Sequence, residues 1–277
     1  MSGSITDWHT DLLRMVMCFA VDSLHAWAQL QEVSAGFRTA ACSPIVLSYL
    51  TLRPMRPSVL TRAVGVRHVH LDYGCVSDST LNYPHLFVET YPLKTFFRNL
   101  PTGLLSLKIQ RAFVPGLEIL DRCSNLQALH INDCVFTGLD RFPHLPHLKC
   151  LIMQGVEQFD RFYIRIPSLA PLNCLQSLIV DWSSVSDEHI KDLSSMKGLR
   201  TLVLTHCFIT DVGIQQLASL PALKELVVSS QCLTDAALGY VAWFPSILFL
   251  GVQGCPNLSP SAIHSLQQSR PLLTVMA

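Results

Sequence analysis

From Leu175 onward the chain repeats itself every 24 residues, and that period constrains its fold more than any other feature. Leu175-x-x-Leu178-x-Val180, Leu199-x-x-Leu202-x-Leu204 and Leu223-x-x-Leu226-x-Val228 align without gaps, and Ile247-x-x-Leu250-x-Val252 follows at the same step. A fixed period of about 20–50 residues marks stacked supersecondary units, each unable to bury its apolar side alone. A leucine-rich helical bundle does not produce four such segments at one step. Stacks of this kind usually offer a surface for a partner, and chemistry on one would need a site of its own.

Each unit opens on alternation of period two, which sends the leucines to one side of a short strand and the intervening residues to the other. Eight residues after the first leucine stand Cys134, Cys207 and Cys255, in the units beginning at Leu126, Leu199 and Ile247. An apolar residue returns at Val185, Ile209 and Leu233, followed by Ser186-Asp187, Thr210-Asp211 and Thr234-Asp235. Ser or Thr there caps a helix, and Asp in the first turn suits its dipole. Ile190/Leu193/Met196, Ile214/Leu217/Leu220 and Leu238/Val241/Phe244 then form one buried stripe per helix. The unit reads strand, turn, capped helix, return loop.

The frame runs backwards through Leu148, Leu126 and Leu104 at steps of 22, with weaker helical segments. The step from Leu148 to Leu175 is 27 and holds Phe159, Phe162 and Tyr163 in an expected irregular loop. Val66-x-x-Val69-x-Leu71 is expected to be the first repeat, followed by an insertion rich in Tyr, Phe and Pro. Residues 256–277 are expected to add a final helix through Ile263 and Leu266 and a last strand around Leu272–Val275, capping the stack.

Lys+Arg and Asp+Glu both total 20, and without excess positive charge a nucleic-acid footprint is not expected. Charged residues are 14% and apolar ones 49%, which argues against disorder. The stretch Leu12–Val21 contains Arg14 and is too short to span a bilayer, so no membrane association and a cytoplasmic or nuclear location are expected. In that setting the ten cysteines are expected to be reduced. No CxxC pair occurs, and His68, His70, His144 and His147 are not joined by further ligands at zinc spacing, so neither a metal nor a cofactor is expected. No nucleophile elbow or phosphate-gripping glycine loop is present, and an enzyme is not expected.

The segment Ile209–Leu226 and Gly254-Cys255-Pro256-Asn257-Leu258 resemble the cysteine-containing class of leucine-rich repeats. The resemblance covers residues 63–277 and implies an α/β solenoid with a parallel sheet on its concave side. It also implies that Cys134, Cys207 and Cys255 turn inward to bond backbone groups of the bend.

Residues 1–52 do not follow the repeat. Their apolar positions read as short amphipathic helices, and residues 53–62 form a linker stiffened by Pro54 and Pro57. Leu12, Leu13 and Val16, then Leu30, Val33, Phe37 and Pro44, resemble a degenerate F-box, with Phe37 in the place of its Trp and Ser34 in that of its Cys. The usual opening Leu-Pro is absent, with His9-Thr10 roughly there. The resemblance implies an all-α module whose six named apolar residues and Pro44 face a Skp-type adaptor on a cullin scaffold. The chain would then be the substrate-recognition subunit of a ubiquitin ligase. The alternative is a scaffold or inhibitor outside the ubiquitin system, whose N-terminal helices only cap the first repeat.

An unidentified protein substrate is expected on the sheet. The fifth residue of each motif should point outward, giving His130, Ile152, Ile179, Val203 and Val227, four of them consecutive aliphatics. An exposed apolar strip often marks an interaction site, although β-branched residues suit a pleated sheet whether or not anything binds. Beyond the strands, Asp181, Trp182 and His206 offer polar and aromatic reach, with Trp182 as the anchor candidate. The second positions Lys149, Gln176, Arg200 and Lys224 read either as a solvated edge or as a contact for an acidic partner.

Overall fold

The structure, a computed structural model, describes residues 49–52, 67–72, 100–114, 116–136, 138–158, 167–181 and 185–277. In chain order its strands are β1 (Tyr49–Leu52), β2 (His68–Asp72), β3 (Ser106–Gln110), β4 (Phe113–Val114), β5 (Ala128–Asn132), β6 (Val135–Phe136) and β7 (Cys150–Gln154). There follow β8 (Glu157–Gln158), β9 (Ser177–Asp181), β10 (Thr201–Cys207), β11 (Glu225–Ser230), β12 (Phe249–Gly251) and β13 (Thr274–Met276). Ten of them form one sheet in the order β1-β2-β3-β5-β7-β9-β10-β11-β12-β13. Every pairing is parallel and joins equivalent positions of successive units, as in Leu151↔Leu178, Leu178↔Leu202 and Leu202↔Leu226. A chain that repeats one strand per unit can only stack it this way, since each return passes behind the sheet.

The motif leucines are the spine of the core. Leu107, Leu129, Leu151, Leu178, Leu202, Leu226 and Leu250 are each at most 1% exposed. Burying one such side chain stabilises by about 1.5–3 kcal/mol. Behind the sheet lie α1 (Asp187–Ser194), α2 (Asp211–Leu217), α3 (Asp235–Val241) and α4 (Pro260–Ser269). The nine residues of the expected helical stripes are all buried. Thr210 Oγ1 accepts the N–H of Val212, Thr234 Oγ1 that of Ala236 and Ser259 Oγ that of Ala262, so each hydroxyl caps its helix.

The first-turn aspartates do more than face a dipole. Asp187 accepts the N–H of Thr210 at 2.9 Å and its hydroxyl at 2.6 Å. Asp211 takes the same two groups of Thr234, at 2.8 and 2.6 Å, and Asp235 those of Ser259, both at 2.7 Å. Each carboxylate thus latches the start of its own helix to the cap of the next. Backbone and hydroxyl donors from Ser259 hold the Asp235 carboxyl below the ordinary carboxylate range.

The units beginning at Leu104, Leu126 and Leu148 solve the return differently. The unit beginning at Leu104 has a 3₁₀ helix, Glu118–Arg122, instead of an α-helix. In β4, β6 and β8 the chain after the bend pairs into a second, three-stranded parallel sheet, which the sequence analysis did not anticipate. Asp121 supplies the latch here, accepting from the Arg141 guanidinium and from the His144 N–H at 2.6 Å.

The cysteine slot behaves as its resemblance implied. Cys134 Sγ reaches the Asn132 carbonyl at 3.1 Å, Cys207 that of Ser229 at 3.4 Å, and Cys255 that of Val228 at 3.4 Å. Burial pushes the Cys207 thiol up to about 11. In the Leu223 unit the slot holds Gln231, which is exposed, and Ser230 turns in instead. Its hydroxyl donates to the Ile209 carbonyl at 2.8 Å and accepts the Cys232 N–H at 3.2 Å. The pairing register shifts between Leu204 and Cys207 to admit it.

Three expectations need correction. Tyr49–Leu52, assigned to the end of the helical segment, is strand β1 and pairs with β2 from Tyr49↔His68 to Leu52↔Leu71. The signal was present, because Leu47-x-x-Leu50-x-Leu52 carries the same frame. The Val66 unit is therefore second in the sheet. At the other end the last strand is Thr274–Met276, one or two residues beyond the expected span. Leu272 there is 86% exposed, so the tail leaves apolar surface open. The rest of the F-box-like segment, including Leu12, Leu13, Val16, Leu30, Val33, Phe37 and Pro44, lies outside the described residues, as do Phe159, Phe162 and Tyr163.

Candidate partner-binding face

The strand register brings the fifth positions into one line. His130 pairs with Ile152, Ile152 with Ile179, Ile179 with Val203, and Val203 with Val227. All five are half-buried, because neighbours across about 4.8 Å cover part of each side chain. The line ends at Gly251, where a Cβ would come 3.1 Å from both Val227 methyls and 3.5 Å from the Phe249 ring. Phe249 thus lies close over that position and continues the apolar surface. The spacing of the motif gives no sign of this role of Phe249.

At the other end the line turns polar. Lys108 pairs with His130 and His70 with Lys108, and His70 Nε2 lies 2.7 Å from Gln110 Oε1. His130 Nε2 stands 3.8 Å from Cys150 Sγ. Burial, and then the Lys108 charge, lower the His130 pKa, while burial raises that of Cys150.

Asp181 and His206 come together at the C-terminal margin of the strands, Nδ1 to Oδ1 2.7 Å. His206 has φ 52°, and the eighth positions Arg111, Asp133, Gly155 and Gly254 share that left-handed conformation. The conformation turns the chain away from the sheet at the end of the strand, and it is costly for residues other than glycine. Trp182, the anchor candidate, lies outside the described residues. At the N-terminal margin Lys149, Gln176, Arg200 and Lys224 are all exposed. Between the margins Glu225 accepts from Thr201 Oγ1 at 3.1 Å. Among the described residues no three His, Cys, Asp or Glu side chains gather as a metal site would require.

Solved structures place this architecture. TLR13, in its complex with ssRNA13, matches with a TM-score of 0.53 at 17% identity, over 81% of this chain and 32% of that one. The fold is a leucine-rich repeat solenoid. A leucine-rich repeat protein of Leptospira interrogans gives 0.46 at 12% identity over 84% and 68% of the two chains. The internalin inlF of Listeria monocytogenes gives 0.38 at 18% over 74% and 48%. The chain thus spans only 32% of TLR13's length, and identities this low speak for the fold alone. No family model and no curated protein matches the sequence.

Proposed function

We propose that the chain is a protein-interaction scaffold that holds a polypeptide on the outward face of its ten-stranded sheet. Residues 1–48 would then join it to a Skp-type adaptor and a cullin scaffold, making it the substrate-recognition subunit of a ubiquitin ligase. The scaffold reading is carried by the unbroken row Ile152–Ile179–Val203–Val227, four aliphatic side chains in register on a face with no other strand or helix over it among the described residues. The ligase reading is supported by the F-box-like order of Leu12, Leu13, Val16, Leu30, Val33, Phe37 and Pro44 immediately before the first strand. Neither function requires catalysis by the chain itself, and we propose none. A cytoplasmic or nuclear location goes with the ligase reading.

One observation favours a second reading, in which the N-terminal residues only cap the solenoid. Among the described residues nothing pairs with the outer edge of β1, and an unpaired strand edge needs cover. The zero net charge speaks against a nucleic-acid partner. The fold does not, since TLR13 is in complex with a single-stranded RNA.

The test is co-purification of a Skp-type adaptor with the full chain, with a deletion of residues 5–46 that spares the β1 motif, and with L30A/V33A/F37A. Recovery with the full chain alone, while the triple variant keeps its thermal unfolding midpoint, supports the ligase reading. No adaptor with the full chain removes it, and collapse of the repeats in the triple variant identifies a cap.

A further inference from the structure

We infer that the polypeptide held by the sheet is an amphipathic helix lying across the strands, its acidic flank toward their N-terminal ends. This rests on the scaffold reading and adds the shape, charge and orientation of the partner. The apolar surface is one residue wide. Ser177 and Thr201 lie two residues before Ile179 and Val203 along the strands, and Asp181 and Thr205 two residues after them. A partner that matches it has a narrow apolar stripe with polar sides, as a surface helix does.

The spacing agrees with a helix. Strands are about 4.8 Å apart, and an α-helix advances about 5.4 Å per turn. A helix perpendicular to the strands therefore sets about one turn over each of Ile152, Ile179, Val203 and Val227, drifting by about 2 Å in all. Four turns need about 14 residues, with anchors spaced i, i+3 or i+4, i+7 and i+11.

The charges set its orientation. Lys149, Arg200 and Lys224 precede the apolar row by three positions in their units, about 10 Å along the strand. All three are exposed, and none makes an ion pair among the described residues. Gln176, at the same margin, is uncharged, and the one carboxylate on that side, Glu225, two residues before Val227, is outnumbered by the three cations. The opposite margin carries Asp181, already paired with His206. A helix about 10–12 Å across, side chains included, centred on the row brings carboxylates on one flank within reach of all three cations. The same carboxylates on the other flank would face Asp181.

The test uses the full chain as bait for a displayed library of 14-residue helical peptides with fixed apolar anchors and randomised flanks. The expected result is enrichment of Asp and Glu on one flank. Binding of the selected peptide should then fall at least about tenfold in K149E/R200E/K224E and weaken with added salt. Peptides that lose binding to I179T/V203T but show no acidic preference would overturn this inference and leave the scaffold reading standing. Failure to select any peptide sensitive to I179T/V203T would overturn both. The threonines keep the β-branched shape, and unchanged thermal unfolding of each variant separates lost contact from lost fold.

Discussion

Replacing Ser230 by Ala tests whether the bend of a unit without its cysteine is held by one hydroxyl. Ser230 is 2% exposed and the sole buried polar residue in the described core. The substitution removes the bond to the Ile209 carbonyl at 2.8 Å and leaves the Cys232 N–H without its acceptor at 3.2 Å. Each of these two hydrogen bonds contributes about 0.5–1.5 kcal/mol net. Only one oxygen is deleted, so the cavity contribution is small, and a loss of about 1–3 kcal/mol is expected. With a urea slope of about 1–3 kcal/mol per molar, the midpoint should fall by roughly 1 M at an unchanged slope. Far-UV circular dichroism and tryptophan fluorescence read the transition. Ser229→Ala, one residue earlier on the outward side, is the control and should stay within about 0.5 kcal/mol of the parent. If Ser230→Ala unfolds with the parent midpoint, or with that of the control, the hydroxyl does not hold the bend and the account of this unit fails.

Leu202→Ala, in the middle of the spine at 0% exposure, should cost about 2–5 kcal/mol in the same assay. A loss below 1 kcal/mol would deny the stacked core. Ser259 donors hold the Asp235 carboxyl below the ordinary carboxylate range, so its latch adds stability above that range and loses it as pH falls through the lowered folded value. Melting temperatures between pH 2.5 and 6 should therefore drop more steeply on the acid side for the parent than for Asp235→Asn, and parallel curves would contradict the latch. Iodoacetamide at pH 8 should label the exposed Cys174 and Cys232 and spare the buried Cys134, Cys207 and Cys255 until urea is added, as peptide mass spectrometry would show.

Strand placement and core were legible because registry is a property of the period. Once Leu175, Leu199, Leu223 and Ile247 are aligned, every strand, cap and helical stripe of the C-terminal units follows from position in the unit. The outward row of Ile152, Ile179, Val203 and Val227 was legible for the same reason. What escaped depends on contacts between units. The Asp187, Asp211 and Asp235 latches span 23 or 24 residues, whereas a helix dipole explains an aspartate locally and hides the longer bond. Ser230 was missed because it does its work one position before the slot where a cysteine was sought. β1 was missed because Leu47-x-x-Leu50-x-Leu52 lies within residues 1–52, whose apolar positions also fit short helices. The strands β4, β6 and β8 were missed because two-residue segments carry no periodicity at all.

The latch from each aspartate to the next cap has a consequence for how such a chain grows and shrinks. Excising Arg200–Leu223 removes one whole period and leaves Asp187 facing Thr234, which offers the same N–H and hydroxyl that Thr210 did. The seam then re-forms the same latch, so the stack is expected to tolerate loss or duplication of a rung at these joints. The length of the apolar row is then a quantity that gene rearrangement can change in steps of one strand.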